Sequence, residues 1–149
     1  MDKRIILLSS VLFVSACQTT AESVRVGNSL QEDQVLADEA YAKGNYVEAE
    51  RAYKRMTIDN PSEAYNWFKL ANIYARTNRP KEAKDAYQES LIRKPENAKA
   101  WHNLGVIQLR EAALSFVRAK HNAKQGDPIY QHSEQALDVI DDIIDIGEH

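Results

Sequence analysis

Residues Trp67 to Pro95 read WFKLANIYARTNRPKEAKDAYQESLIRKP. Trp67, Leu70, Ala71 and Tyr74 recur at helical spacing, and Ala83 and Tyr87 do so further on. Pro95 cannot continue a helix, so it closes the unit. The neighbouring sequence repeats the pattern with a period of 34 residues: Leu36, Leu70 and Leu104; Ala37, Ala71 and Gly105; Ala49 and Ala83; Tyr53 and Tyr87; Pro61 and Pro95; Trp67 and Trp101. A fixed period in this range is the mark of a stacked repeat, in which no unit buries its apolar face alone and stacking makes the core.

Residues Trp67, Leu70, Ala71, Tyr74, Ala83, Tyr87 and Pro95 fall on the Trp, Leu, small, aromatic, small, aromatic and Pro positions of the tetratricopeptide repeat, and the chain resembles that family over about 30–124. The resemblance implies an all-α fold of helix–turn–helix repeats, about two and a half of them: 30–63, 64–97 and a partial 98–124. Trp67, Leu70, Tyr74 and Tyr87 are expected to fill the space between helices, with Ala71 and Ala83 letting backbones approach. Repeat one departs from the pattern at Asp33 and Ala40, as a terminal repeat does. Met56 and Ser90 replace a usual small Ala. Repeat three has Gln108 at the aromatic position and lacks the second-helix signature.

Helices are expected near 30–43, 46–58, 63–77, 80–93, 98–122 and 128–146. Start signals agree: Ser29-Leu30-Gln31-Glu32 matches a capping box, Asn97 precedes Ala98 as an N-cap, and Asp127-Pro128 sets a cap before a proline at the first helical position. No breaker falls between Arg110 and Lys124, so the third repeat's first helix runs on for about two extra turns. After the Gln125-Gly126-Asp127-Pro128 break, Ile129, Ala136, Leu137, Ile140, Ile143 and Ile144 form a stripe that makes 128–146 a capping helix returning along the long one.

The first residues follow another logic. Lys3 and Arg4 precede an apolar run from Ile5 to Val14, and Ser15-Ala16 leads to Cys17. A charged start, a short apolar run and a small-residue cleavage site make a secretory signal peptide, since spanning a bilayer needs about 20 apolar residues. Val14-Ser15-Ala16-Cys17 resembles the lipobox of bacterial lipoproteins. That resemblance implies cleavage after Ala16, a diacylglyceryl thioether on Cys17 and acylation of the new amine (palmitate being a typical chain). Two or more chains would anchor stably at about 0.8 kcal/mol per buried CH₂. The alternative is an ordinary signal peptide that happens to contain the cysteine. Cys17 is the sole cysteine, so no internal disulfide is available. Gln18, by resemblance to Gram-negative lipoproteins, implies an outer-membrane address facing the periplasm. The organisation expected is thus a signal peptide over 1–16, a lipidated polar tether over 17–28 and a repeat domain over 29–149.

Nothing in the sequence assembles catalytic chemistry. His102, His121, His132 and His149 have no metal-ligand spacing, and there is no phosphate loop and no nucleophile elbow. Asp141 and Asp142 are adjacent, so on a helix they point apart. No cofactor, no metal, no small-molecule substrate and no enzymatic activity are expected; export argues against nucleic acid.

Charge is segregated instead. Residues 64–124 hold 12 Lys/Arg against 5 Asp/Glu, a net of +7; residues 125–149 hold 7 acidic residues and no Lys or Arg. Either the acidic last helix neutralises the basic middle, or a basic concave surface steers an acidic partner segment. By family offsets the first helix of each repeat supplies that surface. It would comprise Gln31, Gln34, Asp38 and Tyr41, then Tyr65, Phe68, Lys69, Asn72 and Arg76, then Lys99, His102, Asn103, Val106, Leu109 and Arg110. From the second group onward, Tyr65, Phe68, Lys69, Asn72, Arg76, Lys99, His102, Asn103, Val106 and Arg110 are the partner-binding candidates, suited to an extended peptide or a helix lying in a groove. The family's carboxylate-clamp version does not fit: Gln34 and Asp38 stand where Lys and Asn belong, and Lys99 alone matches. The competing account is that the long helix and the last helix fill part of the groove.

Small repeat lipoproteins of this kind include assembly factors of pili and secretion machines: pilotins of secretin rings, and the repeat lipoprotein of tight-adherence systems. The short chain is similar to the latter. The function implied is a lipid-anchored, periplasm-facing adaptor for a secretin or pilus component. A docking factor or regulator for a peptidoglycan enzyme is the alternative.

Overall fold

A computed structural model describes residues 31–147. The capping box at Ser29, the tether and Cys17 lie outside the described residues. All regular structure among them is helical: α1 (31–42), α2 (Tyr46–Asp59), α3 (Ala64–Arg76), α4 (Pro80–Arg93), α5 (Ala98–Asn122) and α6 (Pro128–Gly147).

Each boundary has a local cause. The α1–α2 and α3–α4 turns pass through Gly44 (φ 75°) and Asn78 (φ 56°), residues one period apart in the left-handed region, where glycine and asparagine are tolerated. The amides of Asn45 and Arg79 reach back to the carbonyls of Ala40 and Tyr74, 2.9 Å in both cases, closing the helix ends. Helices α2 and α4 end two residues before Pro61 and Pro95. Asn97 Oδ1 accepts from the amide of Ala100 at 3.2 Å, and Asp127 Oδ1 from that of Ile129 at 2.8 Å. Helix α5 runs for 25 residues without interruption, as the missing breaker implied.

The helices stack in chain order, α2 on α3, α3 on α4, α4 on α5 and α5 on α6. Ala49, Tyr53, Leu70, Ala71, Ile73, Tyr74, Ala83, Tyr87 and Leu104 form one continuous core. Ala49, Ala71 and Ala83 are completely covered, the close approach their size permits.

Two positions depart from the repeat's pattern of burial. Trp67 packs against the core while half-buried, whereas Trp101, one period on, is 55% exposed, and both also act as loop clips. Their indole N–H groups donate to the carbonyls of Pro61 at 3.0 Å and Pro95 at 2.7 Å, holding each inter-repeat turn against the next helix. Arg93 stacks on the Trp67 ring at 4.8 Å and also donates to the Pro61 carbonyl. Leu36, although in register with buried Leu70 and Leu104, is 64% exposed, since no described helix precedes α1.

Candidate functional site

Two layers of side chains line the side of the stack built by α1, α3 and α5. The inner layer is a hydrogen-bond ladder that repeats at 34 residues. Between the first two repeats, Asp38 accepts from Tyr53 Oη at 2.7 Å and from Tyr65 Oη at 2.8 Å, and lies 2.5 Å from Lys69 Nζ. One period on, Asn72 Oδ1 accepts from Tyr87 Oη at 2.6 Å and from Asn103 Nδ2 at 3.0 Å. The ladder thus has one charged rung and one neutral rung built on the same positions. It stops at the third repeat, where Val106 replaces the acceptor and the chain continues as α5 instead of turning back.

The rungs set the local electrostatics. Burial alone would raise the pKa of Asp38, but the hydrogen bonds from Lys69, Tyr53 and Tyr65 outweigh it and hold the carboxyl below its ordinary value. Burial and the Asp38 carboxylate push the Tyr53 hydroxyl far upward. Burial pushes Tyr87 up to about 12, against the hydrogen bond from Asn103. These phenols are neutral donors at any physiological pH.

The outer layer is an open groove of about 520 Å³. It is lined by Tyr41 of α1, Asn72, Ala75 and Arg76 of α3, Tyr87 of α4, His102, Asn103, Val106, Ile107 and Arg110 of α5, and Ile144 of α6. Arg76 Nε donates to Tyr41 Oη at 2.9 Å, which fixes the guanidinium at the rim. Arg76, His102 and Arg110 bring positive or protonatable groups, and among the described residues no carboxylate lines the groove.

Of the sequence-derived candidates, Asn72, Arg76, His102, Asn103, Val106 and Arg110 are therefore brought together in one groove. Tyr65, Phe68 and Lys69 lie beside it in the inner layer. Tyr65 and Lys69 are held by Asp38, and Lys69 Nζ also sits 4.7 Å over the Tyr41 ring. Phe68 leans on Tyr87 with ring centroids 6.1 Å apart. Lys99 is exposed one turn before His102 and Asn103 on the same face of α5, outside the groove lining. Among the described residues, the last helix contributes Ile144 to the groove lining.

Asp38 as the ladder's hub is not apparent from sequence, where it counts as one residue of the concave surface and as a mismatch to a carboxylate clamp. The signal was present: Asp38/Asn72, Tyr53/Tyr87 and Lys69/Asn103 are each 34 residues apart. Among the described residues no group of three or more His, Cys, Asp or Glu is placed to hold a metal ion. None of the described helices is long and apolar enough to cross a membrane.

A family model for the tetratricopeptide repeat matches residues 35–98 and, in a second register, 68–115. No curated protein matches the chain.

Proposed function

The chain belongs to the tetratricopeptide-repeat family, and from that premise we propose that it is a membrane-tethered adaptor whose concave groove takes an acidic segment of an envelope-assembly protein. The observation that carries the groove assignment is its lining: Arg76 and His102, two amides and apolar Val106, Ile107 and Ile144, with no carboxylate among the described lining residues. Such a surface attracts an acidic chain from a distance and offers it amide donors and apolar contact on arrival. Val14-Ser15-Ala16-Cys17 supports the tether: lipid on Cys17 would hold the domain at the periplasmic face of the outer membrane. The few repeats together with the lipobox reading support a secretin or pilus component as the partner.

Photocrosslinking from His102 and Val106 in cells tests the groove and the partner together. A secretin or pilus protein should be captured, and Arg76→Glu should abolish the capture. Hydrolases or synthases of peptidoglycan as the prey would transfer the chain to that machinery. Absence of any crosslink from either position would remove the groove as the binding surface. The anchor has its own test: Cys17→Ser should eliminate incorporation of labelled palmitate, and retained label would refute lipidation at Cys17.

A further inference from the structure

The two ends of the stack are finished differently. In the inner repeats, the first helix meets the preceding helix with Asn66, Leu70 and Ile73, or with Ala100, Leu104 and Ile107, all buried. The same positions in α1 are Glu32, Leu36 and Glu39, all exposed. Two of the three positions are carboxylates here, beside exposed Leu36, a more polar face than the inner repeats carry.

Among the described residues, α6 is less polar on its outward side. It carries two adjacent apolar seams with the alternating three- and four-residue spacing that lets helices interlock. The first, Tyr130, Ser133, Leu137, Ile140 and Ile144, is used against α5; Ser133 is 3% exposed and Ile140 is 6% exposed. The second is displaced by one residue: Ile129, His132, Ala136, Val139 and Ile143. Ile129 is 54% exposed, Val139 57% and Ile143 48%. Three large aliphatic side chains exposed in one seam form a contiguous apolar strip, the kind of exposure that marks interaction sites.

The charge around this seam selects what can cover it. Gln135 and Asp142 border it on the outer side, and Asp138 stands in the next row. Residues 125–149 contain seven acidic residues and no Lys or Arg. Pairing with α6 of a second copy would oppose two helices that carry only negative charge, so self-association is disfavoured. We propose that the free seam of α6 docks an amphipathic helix of a different protein, one with aliphatic residues at seam spacing and Lys or Arg at its flanks. This surface is separate from the concave groove and opposite to it in charge preference, so one molecule can hold an acidic segment and a basic helix together.

A labelled 21-residue helical peptide with Leu at seam positions and Lys at the flanks tests this against the full chain by fluorescence anisotropy. Counterparts with Glu flanks, and with the Lys peptide's composition scrambled, serve as controls. The Lys-flanked peptide should bind saturably and the controls should not. Val139→Glu/Ile143→Glu, at exposed positions, should weaken binding by about tenfold or more with an unchanged circular dichroism spectrum. Asp138→Lys/Asp142→Lys should shift preference toward the Glu-flanked peptide, while Arg76→Ala in the groove should leave binding unchanged. No binding, equal binding of the scrambled peptide, or binding that survives Val139→Glu/Ile143→Glu would each overturn the proposal. Sedimentation of the full chain as a dimer that Val139→Glu/Ile143→Glu dissociates would give the seam to a second copy instead.

Discussion

At the residue scale, the charged and neutral rungs of the tyrosine ladder form a natural comparison. Asp38 and Asn72 hold the same position, yet Asp38 needs the Lys69 cation and Asn72 needs only the Asn103 amide. Asp38→Ala leaves the hydroxyls of Tyr53 and Tyr65 and the Lys69 ammonium without their acceptor, and should destabilise the fold by about 2–4 kcal/mol in denaturant unfolding. Asp38→Asn keeps an acceptor but strands Lys69, whereas Asp38→Asn/Lys69→Asn rebuilds the first rung as a copy of the second. The double variant should therefore be more stable than Asp38→Asn alone, a non-additivity read from a double-mutant cycle. The rung also has a pH signature. A carboxyl whose pKa is lowered by folding binds its proton more weakly in the folded state, so the cluster stabilises the protein above the ordinary value of 3.8. That stabilisation falls away as pH drops from there through the lowered value. Acid unfolding curves should show it as a slope below pH 3.8, flattened in Asp38→Asn/Lys69→Asn.

At the scale of elements, much was legible in sequence because repeat positions report helix faces directly. The period placed Ala49, Ala83, Tyr53 and Tyr87 at equivalent buried sites, and the proline positions set the ends of α2 and α4 within two residues. What the period could not convey was the neighbour each face meets. Leu36 matches Leu70 in sequence and differs from it in exposure, because burial there is supplied by a preceding helix and not by the residue itself. Trp67 packs against the core and Trp101 does not for a related reason: apolar character predicts burial, but the indole N–H also needs a partner, and the Pro61 and Pro95 carbonyls at the repeat junctions provide one. Trp67→Phe should retain most of the ring packing while losing that bond and the best surface for Arg93, at about 1 kcal/mol, or roughly 4 °C in midpoint. The polar face of α1 makes a sharper prediction. Glu32→Ala/Glu39→Ile gives α1 the inner-repeat pattern on a face that nothing in the described fold covers. The variant should associate as concentration rises in sedimentation velocity, and an unchanged sedimentation coefficient would mean that these glutamates do not seal the end.

At the scale of the whole molecule, charge segregation became spatial segregation. The basic middle of the sequence is mostly α3, α4 and α5, and part of its charge is consumed internally: Lys69 by Asp38, Arg79 by Glu50 at 2.6 Å, and Lys84 by Glu111 at 2.7 Å. The acidic last helix joins that region through Lys120 and Glu134 at 2.6 Å, while Asp138, Asp141 and Asp142 stay exposed. Neutralisation of the basic middle by the last helix is thus limited, among the described ion pairs, to Lys120 and Glu134, and most of the internal pairing comes from Asp38, Glu50 and Glu111. Arg76 and His102 remain exposed at the concave groove, and the acidic row remains on the outer side of α6. Attraction between exposed charges is screened within about 8–10 Å at ordinary ionic strength, whereas apolar contact is not. Binding of a Glu-rich peptide to the groove should accordingly weaken steeply between low and physiological salt, chiefly through a slower association rate. Arg76→Ala should lower both the affinity and its salt dependence, while Val106→Ala should lower affinity and leave the salt slope unchanged. Stopped-flow association rates across a salt series separate these outcomes. A salt slope that Arg76→Ala does not alter would mean that steering comes from elsewhere on the basic surface, with exposed Lys99 on the same face of α5 the next position to test.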